Sequence, residues 1–229
     1  MGDALLHPQW EEIITKAAEL GVFGLAVDTD LLCEPGVVER LLCLPVDVLT
    51  LRLNADTALV YEKVMGSDRF KQVLENLSKL FNGRIARDER LPQGPWMGRP
   101  WMVPRLVKTA DTLVDMESFF DKWIHFLGHA VIEPATTGCG LMLDLATHDL
   151  SPPKRFACRQ LMRRLTVHSD GNVALCDQDW LARASVGNVN QGTTLTQAWA
   201  KLGEVFAAHQ SGQWGEQPLC AVCREWHRP

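Results

Sequence analysis

RRLTVHSDGNVALC, residues 163–176, decides how the C-terminal part of the chain folds. Apolar and polar residues alternate on both sides of Asp170 and Gly171. An Asp-Gly pair between two alternating runs predicts a β-hairpin closed by a two-residue turn, because glycine accepts positive φ. Cys158 precedes this hairpin and Cys176 ends it. A helix is expected over residues 195–208, followed by PLCAVCREWH, residues 218–227, whose CxxC sets Cys220 and Cys223 on one tight turn. A hairpin carrying one cysteine pair and a turn carrying the other supply four thiolates to one metal centre. The spacing by itself admits both a tetrahedral zinc and a 4Fe-4S cluster.

Upstream of residue 137 the pattern is different. A helix starts near Pro8 and stops at Gly21, and VFGLAV (22–27) reads as a buried strand. A short helix over 37–44, a strand in VDVLTLRLN (46–54), and helices over 57–64 and 70–80, closed by Gly83, are expected next. Residues 84–100 read as a surface loop. A strand over 101–107, a helix over 116–127 and a strand over 130–133 complete the run. Strands alternating with helices predict a parallel sheet, and ligands of such sheets sit at the C-terminal strand ends, here Asp28, Thr29, Asp30, Asn54, Lys108 and Glu133. The expected organisation is a β/α domain over 1–136, a linker over 137–157 and a small α+β domain with a hairpin over 158–229.

The bulk numbers narrow the function. With 46% apolar residues the 229-residue chain builds a core, and a net charge of -5 argues against phosphate-backbone binding, so no nucleic-acid partner is expected. No apolar run approaches membrane-spanning length and no signal peptide opens the sequence, so a cytoplasmic protein without a membrane partner is expected. Seven cysteines in a reducing compartment do not suggest a disulfide framework. Cys33 and Cys43, in an apolar helical stretch, read as core thiols, and Cys139 as an isolated one. His125 and His129 lack a completing carboxylate, and Trp199, Trp214 and Trp226 read as packing around the cysteines.

Cys158, twelve residues, Gly171, four residues and Cys176, then GNV at 187–189, TLTQAW at 194–199 and PLCAVC at 218–223, resemble the SPASM or shortened, twitch-like domain of radical S-adenosylmethionine (radical SAM) enzymes. GDALLHPQWEEIITKAAELGV (2–22) and LNADTALVYEKVMGSDRFKQVLENLSKL (53–80) resemble interior segments of the radical SAM barrel. The resemblance implies a partial radical-SAM-like (β/α) barrel followed by a small iron-sulfur domain. It implies one auxiliary 4Fe-4S cluster on Cys158, Cys176, Cys220 and Cys223. Gly2 and Asp3 fall where the family meets the methionine end of S-adenosylmethionine, and Asn54 near its ribose; Arg52 stands where a small polar residue is usual.

No CxxxCxxC motif occurs in these 229 residues. The expectation is therefore a chain that begins inside the barrel and is inactive alone, its parent enzyme cleaving S-adenosylmethionine for radical chemistry on a peptide, sugar or small metabolite. A flavodoxin or ferredoxin would be the reductant. The alternative is a non-catalytic four-cysteine module, holding 4Fe-4S or zinc, that acts through a partner.

Overall fold

A computed structural model describes residues 2–90 and 98–228; the loop expected over 84–100 thus falls partly outside the described residues. The chain divides into two units, Met1–Pro134 and Ala135–Pro229, so residues 137–157 belong to the second.

The first unit runs α1 (Trp10–Glu19), β1 (Ala26–Thr29), α2 (Pro35–Cys43), β2 (Val48–Arg52), α3 (Ala58–Met65), α4 (Phe70–Arg90), β3 (Trp101–Lys108), α5 (Leu113–Leu127) and β4 (Val131–Pro134). Its sheet is parallel throughout with strands in sequential order β1-β2-β3-β4, and Val27 pairs with Leu49, Leu51 with Pro104, and Leu106 with Ile132. Sequential order is that of a β/α barrel segment, and also of one side of a doubly wound sheet. β2 is buried on both faces: Leu49, Thr50 and Leu51 are all inside.

Two local expectations fail for physical reasons. The strand expected over 22–27 begins only at Ala26, because Val22 and Phe23 stand in solvent and pair with nothing in the sheet. Gly83 does not end a helix; α4 continues through it to Arg90. A Cβ at Gly83 would lie 2.3 Å from Leu42 Cδ1, so this glycine lets α4 approach α2 closely. Cys33 is buried as expected, whereas Cys43, at the end of α2, is exposed.

Asp115, buried on α5, fixes the start of α3. Its Oδ2 accepts from the backbone N–H groups of Asp56 and Thr57, both at 2.7 Å, and from the Thr57 hydroxyl. A carboxylate at a helix N-terminus satisfies donors that lack intrahelical partners.

The second unit contains β5 (Thr166–Val167), β6 (Asn172–Ala174), β7 (Ser185–Asn188), α6 (Leu195–Gln210) and α7 (Pro218–Val222). The strands form an antiparallel sheet in the order β5-β6-β7. The hairpin is present, but its turn is one residue longer than expected. His168 N–H donates to Asn172 O, and Gly171 N–H to His168 O, leaving Ser169, Asp170 and Gly171 as the loop, with Gly171 at φ +83°. The later GNV segment folds back onto this turn: Asn188 and Asn190 side chains donate to Asp170 O, and Val189 N–H donates to Gly171 O. Thr194 and Gln197 close a reciprocal capping box that starts α6. The fold is thus a mixed α/β chain, a four-stranded parallel sheet followed by a small three-stranded antiparallel one.

Asp115→Ala leaves two inward-facing N–H groups without partners, and we expect it to destabilise the first unit by about 2–4 kcal/mol. Hydrogen exchange checks this, with the amides of Asp56 and Thr57 losing protection before those of β2.

Candidate metal centre

Each sequence-predicted cysteine is held by a separate local device. Cys158 stands at the N-cap of a 3-10 turn, Arg159–Met162. Its own N–H points to His209 Nδ1 at 3.5 Å. Cys176 follows β6, two residues beyond Ala174. Cys223 ends α7 and accepts from Glu225 N–H at 3.2 Å. Cys220 lies within α7, packed with Leu161, Leu175 and Leu202, and Cys158 leans on the same cluster. Backbone N–H···S bonds and an apolar surround suit thiolates that carry metal.

The electrostatics separate the thiols into two classes. Burial pushes Cys158 up to about 11 and Cys220 up to about 12. Cys223 is lowered to about 7, and Cys176 is also lowered, in both cases first through the neighbouring Cys139. Cys139, read from sequence as isolated, is held far above the ordinary thiol range by its neighbours Cys176 and Cys223 and by burial. Arg155 adds a nearby positive charge that favours the thiolates of Cys220 and Cys223. Its guanidinium lies 5.3 Å from the Trp214 ring and 5.8 Å from that of Trp226, and it donates to Cys220 O at 2.7 Å. Trp214 and Trp226 thus pack by the cysteines, whereas Trp199 is 37% exposed on α6.

Among the described residues no three His, Cys, Asp or Glu side chains converge tightly enough to hold one metal ion. Fit therefore rests on donor chemistry: Cys158, Cys176, Cys220 and Cys223 offer four sulfurs, which suit an iron-sulfur cluster or zinc and disfavour hard cations. His125 and His129 do not form a pair; His129 is occupied by Trp101 Nε1 at 2.6 Å, and His125 is exposed.

In the first unit the C-terminal strand ends carry a charged row. Arg52 pairs with Asp30 at 2.9 Å, and Arg105 with Asp28 at 3.4 Å and with Glu133. Burial raises Asp30. Gly2 has open space around its Cα. Asp3 accepts from Leu5 N–H, the Thr29 hydroxyl and Asp30 N–H, using three of the roughly four acceptor positions of a carboxylate. Asn54, at φ +57°, accepts from Val107 N–H and donates to Met65 sulfur at 3.3 Å. A separate apolar groove of about 470 Å³ lies between α4 and α5, lined by Leu77, Phe81, Trp123 and Phe126.

Residues 158–224, which hold Cys158, Cys176, Cys220 and Cys223, match the family model for SPASM, an iron-sulfur cluster-binding domain. Those residues are similar to that domain, which supports an iron-sulfur cluster role for residues 158–224. A relative in Treponema pallidum (strain Nichols), named only as an uncharacterized protein, is 29% identical over 124 residues, which are 54% of this chain and 34% of the relative. The chain spans about a third of that relative's length. No helix among the described residues is long and apolar enough to cross a membrane.

In metal-free protein the lowered Cys223 is ionised near neutral pH while Cys158 and Cys220 keep their protons until the solution is strongly alkaline. Carboxamidomethylation by iodoacetamide at about pH 8 should therefore label Cys223 before Cys158 and Cys220, with peptide mass spectrometry as the readout. Labelling of Cys158 and Cys220 first would contradict these electrostatics.

Proposed function

We propose that the SPASM domain of this chain holds one 4Fe-4S cluster on Cys158, Cys176, Cys220 and Cys223, and that it serves a longer radical SAM enzyme. The observation that supports this most is four cysteines inside the stretch that matches SPASM, with the Glu225 N–H turned to the Cys223 sulfur. When bound, the cluster supplies one-electron transfer or a docking point for substrate. The residues of this chain supply its ligands, the apolar cover from Leu161, Leu175 and Leu202, and the positive charge of Arg155.

In this reading the longer protein cleaves S-adenosylmethionine to start radical chemistry on a peptide, sugar or small metabolite, with a flavodoxin or ferredoxin as reductant. Gly2, Asp3 and Asn54 belong to the cofactor edge of the first unit. Asp3 retains one acceptor position for an amino group, and Asn54 one side-chain N–H for a ribose hydroxyl.

Anaerobically reconstituted chain should contain about four iron and four sulfide. Stoichiometric zinc without iron would instead support a structural zinc module. Cys176→Ala and Cys223→Ala should each lose the cluster and loosen the second unit, because metal binding and folding are coupled. Cys33→Ala and Cys43→Ala should leave the iron content unchanged, and loss of iron in either would show that the ligands are misassigned.

A further inference from the structure

The arginines of the second unit divide by what they meet. Arg164, Arg183, Arg224 and Arg228 each face a carboxylate, those of Asp177, Asp179, Asp144 and Glu225 in turn. Arg159 and Arg163 stand in solvent, where water carries the charge. Arg155 has neither: it is half-buried, and no carboxylate pairs with it among the described residues. A guanidinium drawn out of water without a counter-charge is costly, so an anion belongs beside it.

The contacts of Arg155 say where that anion would sit. Its Nη2 donates to the carbonyl of Cys220 at 2.7 Å. Its guanidinium carbon lies 5.3 Å from the centre of the Trp214 ring and 5.8 Å from that of Trp226, both within cation-π range. Trp226 is 5% exposed and meets Phe156 edge-on, so the wall behind the guanidinium is itself packed in place. Covalent geometry keeps the sulfur of a cysteine within a few ångström of its own carbonyl, so the guanidinium stands beside the CxxC pair. Arg155 precedes the stretch that matches SPASM, which starts at residue 158, and the match therefore gives it no role.

We propose that Arg155 is the fixed counter-charge of the loaded centre and raises its reduction potential. This rests on the 4Fe-4S reading above. Four thiolates around a 4Fe-4S core leave a net negative charge, and reduction adds one electron to it. A cation held in place favours the more negative, reduced form, and more strongly where tryptophan rings keep water out.

The test compares full-length wild type, Arg155→Gln and Arg155→Lys after anaerobic reconstitution. Iron and sulfide are measured together with the midpoint potential, from a dithionite titration followed by electron paramagnetic resonance. The expected result is the same iron and sulfide in all three, a lower potential in Arg155→Gln, and recovery of at least part of the difference in Arg155→Lys, which keeps the charge. Should Arg155→Gln fail to fold, Arg155→Met takes its place as the neutral variant, because its apolar stem still packs between the rings. A neutral variant with the wild-type potential would overturn the proposal. So would a lysine variant as low as the neutral one, or loss of iron in both the neutral and the lysine variants, since either makes the role of Arg155 structural. A wild type without iron would instead take down the 4Fe-4S reading on which the proposal stands.

Discussion

Cysteine sulfurs that must be negative together repel one another, and each loses hydration as the fold encloses it. The second unit answers this in part locally: Cys223 has the N–H of Glu225 at 3.2 Å, and Cys158 heads a 3-10 turn. Cys220, with burial pushing it to about 12, depends most on a cation, and Arg155 stands beside it between two tryptophans. On the proposed reading the cluster's iron completes what the protein's donors begin, and binding draws the last protons from Cys158 and Cys220.

The rest of the second unit keeps those local devices in register. The hairpin sets Cys176, and its turn is braced by Asn188 and Asn190, which explains why a Gly-Asn segment recurs downstream of the Asp-Gly pair. α6 underlies the site through Leu202 and the buried His209. His209 meets the backbone of Cys158 rather than its sulfur, so its role is to seat the turn.

Much of this was legible in the sequence, and the parts that were not share a cause. Periodicity and capping residues located the helices and the parallel strands, and the Asp-Gly pair between alternating runs located the hairpin. Gly83 misled because its purpose is a close approach to Leu42, a contact distant in sequence. β1 starts late because an apolar run does not say which of its residues reach the sheet, and Phe23 does not. The loop around Cys139 was unreadable for the same reason: Arg183 holds its Cys139 carbonyl, Trp180 lies against Gly138 and Val222 against Gly140, and no short-range pattern announces them. Two glycines flanking a cysteine were the available sign, since they mark a backbone that a side chain seldom tolerates.

The account is tested most directly by diffraction from anaerobically grown crystals of the reconstituted chain, with anomalous data collected across the iron edge. It predicts a compact set of iron positions bonded to the sulfurs of Cys158, Cys176, Cys220 and Cys223. A lone zinc in that place, or iron bonded to Cys139 in exchange for one of the four, would contradict it.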